Sequence, residues 1–100
     1  MIFIINGLKY DTDKMKKVAD VKKWYQRDNI FTRSIFPGQK VGRTDDCELW
    51  KSKKGSWLLT RERDYGVHSG EAIEEAEAKE LLMQYAINKY EKEFGKIPDA

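Results

Sequence analysis

One hundred residues, 36% charged and 40% hydrophobic, leave room for one core and so predict a single domain over residues 1–100; twelve aromatics keep the chain out of the disordered class. The longest apolar run, Met1–Ile5, is too short to span a bilayer and no signal-type segment follows it, so no membrane and a cytoplasmic location are expected. The lone Cys47 excludes an internal disulfide, and the net charge of +2 divides into +6 over residues 1–64 and −4 over residues 65–100.

The chain opens with an apolar strand, Met1–Ile5. Asn6-Gly7 follows, the strongest short hairpin signal, and Leu8-Lys9-Tyr10 reads as the return strand. Asp11-Thr12-Asp13 offers a helix N-cap with acidic groups where the first-turn N–H groups favour them. Met15, Val18 and Ala19 share one face of the short helix predicted from about Asp13 to Ala19. Val21-Lys22-Lys23-Trp24-Tyr25-Gln26 reads either as a continuation of that helix or as a strand without clean alternation. Residues 27–46 hold Pro37, Gly38, Gly42 and Asn29 and read as a long loop, with a strand predicted near Ile30–Phe36 because four large apolar side chains do not all face water.

Cys47–Arg63 is the clearest piece of structure, two alternating runs flanking Lys53-Lys54-Gly55-Ser56. With Lys54-Gly55 as a two-residue loop, Trp50 faces Leu59 and Ser52 faces Trp57. Trp50, Trp57 and Leu59 then share one face, and Leu49, Lys51, Leu58 and Thr60 the other. Residues 61–70 read as a turn-rich connection into a long final helix. Glu71, Glu74, Glu75, Glu77 and Glu80 lie toward its start and Lys89, Lys92 and Lys96 toward its end, the order that complements the helix dipole. Ala76, Met83, Ile87, Tyr90 and Phe94 form its apolar stripe, Asn88 is a point where it could divide, and Gly95 with Pro98 ends it. The fold class expected is α+β: a small antiparallel sheet of two hairpins packed against a C-terminal helix, with a short N-terminal helix.

The residues point away from catalysis. The one histidine, His68, has no spacing that links it to Cys47 or to a carboxylate in a catalytic motif, and a thiol at a strand start is most often a small buried hydrophobe. Neither GxGxxG nor GxxxxGK[ST] occurs, so no cofactor is expected, and no metal. The chemistry that stands out is positive charge. Lys51, Lys53 and Lys54 on the second hairpin, Arg61 and Arg63 on its return strand, and Arg33 in the preceding loop are the candidate partner-binding residues. Trp24, Tyr25, Phe31 and Phe36 are available for stacking, which keeps nucleic acid as an alternative partner.

The opening FIINGLKYDTDKM, the ELWKSKKGSWLL stretch, and EAIEEAEAKELLMQYA followed by YEKEFG resemble, in order and spacing, a family of small proteins encoded by phages and mobile elements of Firmicutes. The likeness covers about four fifths of the chain; it departs at 27–46, which is more basic and apolar than the family's connection, and at 60–70, which lacks its Gly-Gly pair. No enzyme activity attaches to that family, so no site residues carry over. What the resemblance implies is a setting: a small accessory protein in a bacterial host, of the kind that inhibits a host defence machine such as a CRISPR-Cas effector by binding a protein or ribonucleoprotein. A nucleic-acid-binding accessory protein of a mobile element is the alternative, and a structural partner in the element's own assembly a third.

Overall fold

A computed structural model of the chain describes residues 1–26, 42–62 and 66–100. Strands β1 (Ile2–Ile5) and β2 (Leu8–Asp11) pair antiparallel across Asn6-Gly7, whose φ angles of 52° and 77° make the turn that matches strand twist. A single 3-10 turn over Thr12–Lys14 follows, opened by the Asp11 carboxylate, which accepts the Asp13 N–H at 3.1 Å. The chain then runs through β3 (Lys16–Gln26), β4 (Gly42–Lys51), β5 (Trp57–Glu62) and β6 (His68–Ile73), an antiparallel sheet in the order β3-β4-β5-β6. Two helices close it, α1 (Glu75–Tyr85) and α2 (Ile87–Phe94).

The expected α+β class, with antiparallel strands under a C-terminal helical segment, is therefore what the chain adopts. Several of its parts differ. The helix expected from Asp13 to Ala19 is confined to the one turn at Thr12–Lys14, and the rest is strand. Pairing shifts register between Lys17 and Ala19, and this bulge buries Val18 and Ala19 together, which in sequence mimics helical spacing. Beyond it Val21, Lys23 and Tyr25 turn inward and Lys22, Trp24 and Gln26 outward. Residues 68–73, expected as turn and helix entry, form the edge strand β6 against β5. The two hairpins do not share a sheet: β1-β2 is a sheet of its own. The strand expected near Ile30–Phe36 lies outside the described residues.

The second hairpin is present, shifted by one residue. Trp50 pairs with Leu58 and Lys51 with Trp57, so the connection is Ser52–Ser56 and not Lys54-Gly55. A one-residue slip exchanges faces. Leu49, Lys51, Trp57 and Leu59 now lie together under the helices, and Trp50 joins Leu58 and Thr60 on the other side, where its indole N–H donates to Thr60 Oγ1 at 3.0 Å.

The main core lies between the sheet and the helices. Val21, Cys47, Leu49, Trp57 and Leu59 meet Ala78, Leu81 and Leu82 of α1. The helical segment divides at Ala86, two residues before Asn88, with φ −151° and ψ 63°. That break lets α2 swing Phe94 onto Trp57, ring centroids 5.7 Å apart, with Tyr90 against Phe94 at 5.2 Å. Gly95, at φ 98°, ends it. On the opposite face the β1-β2 ribbon lies across the sheet with Phe3 over Gly70 of β6. The result is three layers, helices, four-stranded sheet and ribbon. No helix among the described residues is long and apolar enough to cross a membrane.

Candidate functional site

Three pieces of chain converge at one end of the sheet: the return strand β2, the 3-10 turn with the start of β3, and the β4-β5 turn. The last is rigid. Ser52 N–H donates to the Ser56 carbonyl at 2.8 Å, Gly55 N–H to the Ser52 carbonyl at 3.0 Å, and Ser56 N–H to Ser52 Oγ at 2.9 Å. Lys53 and Lys54 are thus held out at its tip, both exposed. Two troughs, of about 430 and 730 Å³, run side by side here and share Lys14, Met15, Ser52 and Lys53. Lys9, Lys14, Lys16, Lys51, Lys53 and Lys54 line them against the carboxylates of Asp11, Asp13 and Glu93, a surplus of three positive charges.

The six lysines fall into two groups. Lys16 and Lys51 face each other across β3 and β4, a like-charge pairing that is unfavourable by itself. Glu93 of α2 resolves it: the carboxylate bonds Lys16 and lies 3.5 Å from Lys51 Nζ. The Lys51 ammonium also stands 5.3 Å from the Trp57 ring centroid and 5.9 Å from that of Phe94. These two lysines fasten the last helix to the sheet. By contrast, among the described residues Lys9, Lys14, Lys53 and Lys54 have no carboxylate within ion-pairing distance. Four unpaired ammonium groups on a fixed frame are what an acidic partner would meet.

The Glu93 clasp has a pH signature. The side chain is only 9% exposed, and its hydrogen bond to Lys16 and the Lys51 charge outweigh desolvation, which holds the carboxyl below the usual carboxylate range. A depressed folded-state pKa gives stability that is complete above the unfolded value, about 4.3, and is lost as pH falls through the lower folded value. Glu93→Gln should therefore cost about 1 kcal/mol at neutral pH, and the gap between its urea midpoint and that of the wild type should be smaller at an acidic pH below the usual carboxylate range than at neutral pH. A gap between the two proteins that is equal at both pH values would show that the ion pairs contribute nothing.

Arg61 belongs elsewhere. It points to the helix face at the opposite end of the sheet, is 17% exposed, donates to Asp45 Oδ2 at 2.6 Å, and lays its guanidinium 3.3 Å from the Tyr25 ring centroid. Tyr25 in turn donates to Glu71 at 3.2 Å, and Lys23 reaches Glu71 at 2.9 Å and Glu77 at 3.2 Å. This network ties β3, β4, β5, β6 and α1 together, and no buried side-chain N or O among the described residues is left without a partner. Arg33 and Arg63 lie outside the described residues. Of the six basic residues singled out in the sequence, Lys51, Lys53 and Lys54 come together, with Lys51 internally engaged.

The residues missed were Lys9, Lys14 and Lys16. Their sequence signal was present in KYDTDKMKK, a run whose lysines are spread over a turn and two strands. The two groups weighed as reactive, Cys47 and His68, both border a recess of about 500 Å³, in different settings. The Cys47 thiol is buried and pushed up by desolvation, with the Tyr25 hydroxyl 4.0 Å away; burial pushes the Tyr25 phenol up as well. His68 is exposed on the edge strand β6. No family model, curated protein or solved structure matches the chain.

Proposed function

We propose that the protein works without catalysis, by docking its lysine-rich end onto an acidic face of another macromolecule. The observation that carries this reading is the placement of Lys9, Lys14, Lys53 and Lys54, unpaired among the described residues, around one trough: Lys9 on β2, Lys14 on the 3-10 turn, and Lys53 and Lys54 on the hydrogen-bonded β4-β5 turn. Keeping four like charges within one end costs self-repulsion, which an acidic partner relieves, and such a field speeds encounter more than it sets affinity. In the setting that the resemblance implies, the partner is a protein or ribonucleoprotein of a host defence machine in the bacterial cytoplasm, a CRISPR-Cas effector among them, and the effect of docking is inhibition.

Bare nucleic acid is the weaker reading for a geometric reason. Non-specific single-strand binders set stacking rings beside their lysines. Among the described residues the exposed rings are Trp24, at 47%, and Tyr85, at 41%; neither lines the lysine troughs, and Trp24 stands eight residues further along β3 than Lys16, roughly 25 Å away at the rise of an extended strand.

The test uses a bacterial host with an active CRISPR-Cas system challenged by a targeted phage. Expression of the protein should restore plaque formation, and Lys53→Glu with Lys54→Glu should abolish that rescue while leaving thermal stability unchanged, both side chains being exposed. Failure to rescue in hosts with differing effectors, or full rescue by the double variant, would overturn the assignment. Retardation of free DNA or RNA with a steep salt dependence would favour the nucleic-acid reading.

A further inference from the structure

We infer that the trough between the β1-β2 ribbon and the β4-β5 turn takes an acidic peptide segment that carries one large apolar side chain between its carboxylates. The inference rests on the docking reading and names the ligand class of that site. Charge alone does not explain how the trough is lined. Its walls include Leu8, 59% exposed, together with Tyr10 and the half-buried Met15, and Lys9, Lys14, Lys53 and Lys54 line the same trough against the one carboxylate of Asp11. Leu8 and Tyr10 are alternate residues of β2 and present the same face. An exposed leucine on the lip of a recess of about 430 Å³ is apolar surface left in water, and a pocket of this size suits a small ligand group or a short peptide stretch.

Different acidic partners fit this lining differently. Phosphate backbones would satisfy the lysines and leave Leu8 and Met15 wet. An anionic bilayer is flat on this scale and cannot enter a concave recess, so its acyl chains would not reach Met15 or Tyr10. A peptide with an aliphatic or aromatic residue flanked by Asp or Glu satisfies both parts at once: the side chain enters the recess and the carboxylates meet lysines on both sides. Mixed recognition of this kind puts affinity in the buried apolar anchor and orientation in the charges.

The experiment is fluorescence anisotropy on the full chain with four labelled probes: a Glu- and Ser-containing peptide with a central Leu, the same peptide with a central Ser, a single-stranded DNA of equal charge, and vesicles containing phosphatidylserine. The Leu peptide should bind roughly tenfold more tightly than the Ser peptide, the factor expected for burying one aliphatic side chain. Leu8→Ser with Met15→Ser should erase that preference and keep the weaker, salt-sensitive binding of both peptides. Lys53→Glu with Lys54→Glu should weaken both. Circular dichroism of each variant checks that it remains folded. Equal binding of the two peptides would overturn the apolar-anchor inference while leaving charge-driven docking in place. No binding of either peptide would overturn both, and tighter binding of DNA or vesicles than of the Leu peptide would overturn the peptide assignment.

Discussion

Leu82→Ala is expected to lower the free energy of unfolding by about 3 kcal/mol, equivalent to about 15 °C in melting temperature for a chain of this size. Leu82 is fully buried in the cluster that joins α1 to the sheet, with Leu49, Trp57 and Leu59. It also lies at the mechanical pivot of the helical segment, since its carbonyl accepts the Ala86 N–H at 2.8 Å where α1 gives way to α2. Loss of the side chain loosens the point from which α2 reaches Trp57 and the Glu93 clasp. Met83, its neighbour, is 45% exposed, and Met83→Ala should change stability by no more than about 0.5 kcal/mol. Leu82→Met, which nearly conserves volume, should cost less than about 1.5 kcal/mol. Chemical denaturation of the three variants is the measurement, and equal midpoints for Leu82→Ala and Met83→Ala would mean that α1 does not pack on the sheet as described.

The sequence was most legible where one residue pair dictates local geometry. Asn6-Gly7 sets the first hairpin because both residues tolerate positive φ, and Gly95 ends α2 for the same reason. It was least legible where a distant strand decides. The stretch 13–26 carries a helix-like stripe only because the bulge at Lys17/Ala19 buries two adjacent residues; once β4 offers a full-length partner, the alternation of Val21, Lys23 and Tyr25 is satisfied and helix propensity is overridden. In β6, Gly70 and Glu71 carry no strand signal of their own, and pairing with β5 supplies it. The register of the second hairpin turned on Ser52, whose hydroxyl and carbonyl both accept turn N–H groups and lengthen the connection.

The candidate site divides along the same line. Lys53 and Lys54 were legible because a turn tip is always exposed. Lys14 and Lys16 were not, since nothing local says that the start of β3 runs beside the end of β4, and Lys9 was not, since it reaches the same end on β2. Arg61 was misplaced for the converse reason. Lys54 and Arg61 are close in sequence but run away from each other once β5 leaves the turn, and a guanidinium that stacks on Tyr25 and bonds Asp45 is occupied before any partner arrives.

Gly70→Val should detach the ribbon from the sheet, with a cost of about 2 kcal/mol and a measurable loss of docking. A Cβ built at Gly70 would stand 2.6 and 2.7 Å from Cγ and Cδ1 of Phe3, closer than real side chains approach, so the ring has to leave. The backbone at Gly70 needs no left-handed conformation, and valine is a better strand former than glycine, so any loss reports the clash and not the strand. Phe3 is half-buried, and a two-stranded ribbon is marginal without a surface to lie on. Its release would expose Leu58, Thr60 and Tyr10, and would carry Leu8 and Lys9 away from Lys53 and Lys54. The decisive comparison is a double-mutant cycle. Phe3→Ala vacates the space that the valine needs, so the double variant should be more stable than the two single losses predict, by roughly 1–3 kcal/mol. Amide exchange at Tyr10 should quicken in Gly70→Val while that of Leu49 and Leu59 stays slow, because the core beneath the helices does not depend on the ribbon. Strict additivity, or protection lost equally on both faces, would mean that the ribbon and the four-stranded sheet are not two layers held together at Gly70.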